Sequence, residues 1–112
     1  MAITAGEADW AVELFSELGE ITTRRMMGGL CLYHDGLIFA ILHPSEGLLL
    51  KATGDLIAEI EAEGGTRWRY ARPGRKETAM PYWSLPATAQ DDPEEASRLA
   101  RRALELLRAA EV

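Results

Sequence analysis

The stretch Arg24–Lys51, RRMMGGLCLYHDGLIFAILHPSEGLLLK, decides the fold. Leu30 to Tyr33 is a short run of strand formers, followed by His34, Asp35 and Gly36 and then by the apolar run Leu37 to His43. An Asp-Gly pair between two apolar runs marks a hairpin, because the turn needs positive φ and glycine adopts it without steric cost. Pro44, Ser45, Glu46 and Gly47 read as a second turn, and Leu48 to Lys51 as a third strand. The expectation is a three-stranded antiparallel meander.

A half-exposed strand alternates apolar and polar residues. Here Leu37, Phe39 and Ile41 fall on one face and Ile38, Ala40 and Leu42 on the other, and Leu48, Leu49 and Leu50 are apolar on both. Each face therefore needs cover, from helices or from another subunit. An apolar sheet face left in water exceeds what monomers usually tolerate, so a homodimer is expected, or a partner on the equivalent surface. The competing arrangement splits the helices between the two faces. Gly28 and Gly29 interrupt the strand-like run Ile21 to Met27, which predicts a bulge that bends a long first strand. A phosphate-cradling loop is disfavoured: the P-loop Lys-Ser/Thr is missing and no helix pattern follows.

The chain of 112 residues fits one domain, 1–112, and its 47% hydrophobic content excludes a disordered tail. A net charge of −6 argues against a whole surface that binds nucleic acid or anionic membrane. Cys31 is the only cysteine, so no intrachain disulfide can form. No signal peptide is visible in MAITAGEADW and no apolar run reaches the roughly 18 residues of a membrane span. A cytoplasmic location is expected.

Outward from the meander, Thr4 and Glu7 form a capping box for a first helix with Trp10, Leu14 and Leu18 on its apolar face, and Gly19 as its stop. Thr53-Gly54-Asp55 opens a second, shorter helix with Leu56, Ile57 and Ile60 as its apolar positions, and Gly64-Gly65 ends it. Thr66 to Tyr70 alternates, with Trp68 and Tyr70 on one face and Arg67 and Arg69 on the other. Met80 to Leu85 reads as an edge-like strand, since Pro81 lacks a ladder donor. Asp92 caps the last helix, Pro93 starts it, and Leu99, Leu106 and Leu107 with Ala96, Ala100 and Ala103 make its apolar face. The fold class that emerges is α+β, in the order α-β-β-β-α-β-β-α.

No catalytic or metal constellation stands out, and the chain reads as non-enzymatic, without a cofactor. Cys31 and His34 have a C-x-x-H spacing, but an odd separation in a strand points them to opposite faces, and a zinc site needs further ligands. The basic segment Arg67, Arg69, Arg72, Arg75 and Lys76, with Trp68 and Tyr70 interleaved, is the best candidate site. With Arg24 and Arg25 it makes a set of candidate contacts for nucleic acid or a partner: charges hold phosphates and rings stack on bases. A solvated surface that offsets the acidic helices is the plainer reading. Tyr82 and Trp83, in Met80-Pro81-Tyr82-Trp83, are candidates for a partner groove.

These residues carry a resemblance. RRMMGGLCLYHDGLIFAIL, LLLKA at Leu48 to Ala52, WRYARPGRKETAMPYWSLP and the arginine-rich last helix resemble the N-terminal domain of the TfoX/Sxy family, bacterial proteins associated with regulating competence for DNA uptake. Family members more often show Phe where Met27 stands and Tyr where Trp83 stands, and full-length members carry a second, helical domain, whereas this chain ends at Val112. The resemblance implies a two-layer sandwich with an antiparallel sheet, similar to secretion-chaperone-like folds. It also implies a non-enzymatic regulatory module that acts through protein contacts. A nucleic-acid-binding accessory using Arg67 to Lys76 is the alternative.

Overall fold

The computed structural model describes residues 2–71 and 73–110. The elements are α1 (Ala5–Leu14), β1 (Thr22–Met26), β2 (Gly29–His34), β3 (Leu37–His43), β4 (Gly47–Lys51), α2 (Asp55–Ala62), β5 (Arg67–Tyr70), β6 (Thr78–Ser84) and α3 (Pro93–Ala110). The strands form one six-stranded antiparallel sheet in the order β1-β2-β3-β4-β6-β5. Together with the helices this is an α+β sandwich, as expected, but with one strand more than the sequence reading contains.

The extra strand comes from the Gly28-Gly29 pair, which is not a bulge. Asp35 (φ 49°) and Gly36 (φ 78°) turn the chain between the paired residues His34 and Leu37. Met27 (φ 54°) and Gly28 (φ 76°) repeat this geometry between Met26 and Gly29. Two consecutive left-handed residues match the right-handed twist of the flanking strands, so each pair closes a tight hairpin. β1 is thus a separate strand laid back along β2. Gly29 is required for a different reason: a Cβ there would meet the carbonyl oxygen of Leu42 at 2.5 Å.

β6 is an interior strand, not an edge. It lies between β4 and β5, and its Pro81, which has no N–H to donate, stands just past the end of the β4 pairing at Lys51–Tyr82. The Ala52 amide donates to the Pro81 carbonyl at 3.2 Å on one side. On the other side the register of β5 shifts between Arg67 and Arg69, and the Arg67 Nε donates to the freed Met80 carbonyl at 2.9 Å. The side chain thus supplies a donor to the carbonyl that the register shift leaves without a backbone partner.

All three helices cover the same face of the sheet. Leu14 and the adjoining Phe15, Leu56 and Ile60 of α2, and Leu99, Ala103 and Leu104 of α3 pack on Leu30, Leu32, Phe39, Leu42, Leu50 and Trp83. Phe15 meets Phe39 edge to face at 5.1 Å between ring centroids. Two details differ from expectation. Trp10 is 40% exposed, because Ala11, Leu14 and Phe15 already fill the α1 contact. In α3, Leu104 is buried where Leu106 and Leu107 were expected, and those two are only half-buried. The N-terminal caps are as read: Thr4 and Glu7 bond reciprocally, and Asp92 Oδ1 accepts from the Glu94 and Glu95 amides. Among the described residues no helix is long and apolar enough to cross a membrane.

Candidate functional site

The site is the face of the sheet without helices. Residues directly opposite in antiparallel strands share a face. The pairs Arg24–Cys31, Cys31–Ile41, Ile41–Leu49 and Lys51–Tyr82 therefore trace this surface across five strands. Its floor is aliphatic: Cys31, Ile41 and Leu49 are fully buried, although no helix reaches them. The cover comes from the sheet itself, where Tyr33, Trp68, Tyr82 and Met80 lean over the floor.

Curl of the sheet makes this possible. β5 stands three places from β3, a separation of roughly 14 Å if the sheet were flat. Yet the Trp68 ring lies 5.2 Å from that of His43 on β3, and 6.1 Å from that of Tyr82 on β6. The β1–β2 turn also bends inward, so that a Cβ on Gly28 would touch His43 Nε2. Burial pushes the Cys31 thiol up. It pushes the Tyr82 phenol up to about 12, with the nearby Cys31 and Tyr33 adding to the effect. Both shifts favour the neutral form. The premise of the expected dimer, an apolar face left in water, is thereby altered: the floor is closed within one chain.

What this face leaves exposed is its rim. Met26, Met27 and Tyr70 are each more than 40% exposed, and with Trp10 on α1 they are the exposed large apolar residues of the described chain. Met27, Trp68, Tyr70 and Met80 line a hollow of about 230 Å³. Tyr70 also walls a second hollow of about 210 Å³, lined by Arg75, Lys76 and Thr78. An apolar recess and a basic recess thus share one ring.

The sequence-predicted basic residues do not form one patch. Arg67 lies on the opposite side, with its guanidinium 4.8 Å over the Trp83 ring. Arg69 faces Glu77 at 4.0 Å, an exposed pair of little energetic weight. Arg25 donates to the Ile3 carbonyl at 2.9 Å, and Arg24 sits 5.9 Å over the Tyr33 ring. Arg72 lies outside the described residues. Arg75 and Lys76, like Arg24, make no ion pair or side-chain hydrogen bond with another described residue, and these two line a recess where a ligand can meet them. Trp68 does point away from Arg67, as read, and is buried, whereas Tyr70 stays at the surface.

Tyr82 and Trp83 do not make a groove. Both are buried and they point to opposite faces: Tyr82 over Cys31, Trp83 toward α2, where its Nε1 donates to Glu61 Oε2 at 2.8 Å. The interior position of β6 is the reason. Cys31 and His34 likewise separate. His34 bonds the Leu18 carbonyl at 3.0 Å and accepts from the Arg108 guanidinium at 2.8 Å, which clasps α3 to the β2–β3 turn. Sequence reasoning missed Met27 and Met80 as site residues. The one available signal was the Met-Gly pair itself, which turns the chain although methionine is a poor turn residue.

No curated protein matches the chain. The family model for the TfoX N-terminal domain matches residues 13–107, a span running from the end of α1 to the last turn of α3. It includes every strand and both recesses of the helix-free face. The chain belongs to the TfoX N-terminal domain family.

Proposed function

We propose that this domain is a non-enzymatic regulatory module that acts through protein contacts in competence or transcription control, in the cytoplasm, with the rim of the helix-free face as its contact surface. One observation carries the reading: three of the large exposed apolar side chains, Met26, Met27 and Tyr70, gather on the one sheet face that no helix covers. Scattered exposed apolar residues need no explanation, but a cluster of them beside a recess is what interaction surfaces present. The test is affinity capture with mass spectrometry, comparing the natural chain with Tyr70→Glu. The expected result is a partner held by the first and lost by the second at unchanged melting temperature. Identical captures from both would defeat the reading.

A second reading, contact with nucleic acid, is favoured by the free Arg75 and Lys76 beside the Tyr70 ring. Phosphate contacts give a steeply salt-dependent affinity. Fluorescence anisotropy with a random DNA duplex at about 150 mM salt separates the two. A dissociation constant well below the ~10⁻⁶ M end of non-specific binding selects nucleic acid. Twofold pairing of two copies over the same rim is also testable, since light scattering distinguishes a mass near 12.4 kDa from twice that value.

A further inference from the structure

We propose that the segment seated on this face is a short acidic stretch with one large apolar side chain. The apolar side chain enters the hollow walled by Met27, Trp68, Tyr70 and Met80, and a neighbouring carboxylate pairs with Arg75 and Lys76. The inference rests on the reading of this face as a contact surface and names its occupant.

The two recesses set the chemistry. They share the Tyr70 ring, so their occupants are neighbours in the ligand. The apolar recess, at about 230 Å³, is smaller than the usual small-molecule pockets of about 300–1,000 Å³ and suits a single side chain. Its lining suits an anchor too: thioethers adapt their shape to what they hold, and indole and phenol rings supply rigid contact area.

The backbone gives an independent sign. Met27 sits at φ 54°, in the first central position of a turn that favours Asn, Asp or Gly. The left-handed region is unfavourable for a long side chain. An exposed methionine is therefore held at the rim of the recess where a better turn residue would close the same hairpin, and strain kept at an exposed position points to function.

Charge selects the class of partner. Arg75 and Lys76 form no ion pair with another described residue, and the acid that follows them, Glu77, faces Arg69 at 4.0 Å. A nucleic acid must have several phosphates neutralised, and the net charge of −6 repels a polyanion. A peptide with two or three carboxylates needs only the two cations at the recess. A second copy also offers such chemistry, since exposed Trp10 stands between Asp9 and Glu13. That contact joins two different surfaces and so propagates into rings or filaments rather than closing a pair.

The test is NMR on the full chain with carbon-13 methionine methyls, titrated with a capped peptide of sequence GDEFDG. The controls are GKKFKG, GDEGDG and oligothymidylate. The acidic apolar peptide should shift the Met27 and Met80 methyls and bind at least about tenfold tighter than each control. Exchanging both cations, R75E with K76E, should reverse the preference toward GKKFKG. Met27→Asn should hold or raise the melting temperature while it weakens binding, which separates a contact role from a folding role. Methyls that stay unshifted at millimolar peptide would overturn the proposal. So would equal affinity for a control, tighter binding of oligothymidylate, or assembly that protects the same methyls without peptide. If the peptide fails while Tyr70→Glu still strips a captured partner, only this inference falls. If Tyr70→Glu strips nothing, the contact surface falls with it.

Discussion

On its helix-covered face the sheet presents Leu30, Leu32, Phe39 and Leu50 to side chains from three helices. On the other face Cys31, Ile41 and Leu49 lie under Tyr33, Trp68 and Tyr82 of the sheet's own strands. Both floors are dry, but the two covers differ in what they leave outside. Helices seal continuously, because a stripe of small and aliphatic residues such as Leu99, Ala100, Ala103 and Leu104 meshes with the strands over its whole length. Rings from separate strands close the second floor only at its centre, and Met26, Met27 and Tyr70 remain at the rim. Apolarity on both faces of a sheet does not by itself require a second subunit. Curl and large side chains can bury the floor and still leave an edge for recognition.

The largest expected effect tests the helix-covered side. Phe39→Ala removes a ring packed edge to face on Phe15 and should lower stability by about 3–5 kcal/mol in urea denaturation. Ile41→Ala, equally buried beneath the ring cover, should fall nearer the ~2 kcal/mol lower end for an aliphatic truncation, since no helix pins the side chains above it and they can settle into the space. Equal losses at the two sites would mean that both covers are packed alike.

Trp68→Ala tests the ring cover directly. The substitution should lower stability by about 3 kcal/mol and open the floor. The sharper readout is Cys31, which is fully buried and whose thiol is pushed up by burial. It should react slowly with a disulfide reagent in the natural protein and much faster in the variant. Rapid reaction in the natural protein would break the comparison, because the second floor would then not be closed. Gly29→Val comes next, at roughly 1–3 kcal/mol, through the Leu42 carbonyl that any Cβ would strike. A melting temperature that does not move would show that the β1–β2 hairpin can shift away from β3.

Much of this arrangement was legible in the sequence, and the parts that were not have physical causes. Asp35-Gly36 announced its hairpin because both residues tolerate left-handed φ; Met27-Gly28 did not, because methionine is not a turn residue, and one strand was lost in the reading. Asp92-Pro93 announced α3, but helical periodicity alone could not decide between Leu104 and Leu106 at the margin of its buried stripe. Pro81 suggested an edge, since nothing local reveals that β6 pairs with β4 on one side and β5 on the other. The candidate site was half visible. Arg75 and Lys76 were in the set, whereas the recess beside them depends on curl that brings β5 over β3, and a non-local contact of that kind leaves no mark in periodicity.

The last test uses pH and acts on the helix-free face through Tyr82. In the folded chain its phenol is pushed up to about 12, chiefly by burial and further by Cys31 and Tyr33, against an ordinary value of 10.0. The folded state therefore holds the proton through a window in which the unfolded chain releases it. With more protons bound in the folded state, stability must fall as pH rises from about 10 toward 12, and the contribution is fully present below that window. Cys31 acts in the same direction from a lower starting pH, because burial raises its thiol too. Thermal melts at about pH 8 and about pH 11 should show a drop in the natural protein that shrinks in Tyr82→Phe, which keeps the ring over Cys31 but has no proton to lose. If the phenylalanine variant loses as much as the natural protein, water already reaches the phenol, and the rings do not seal this face as the helices seal the other.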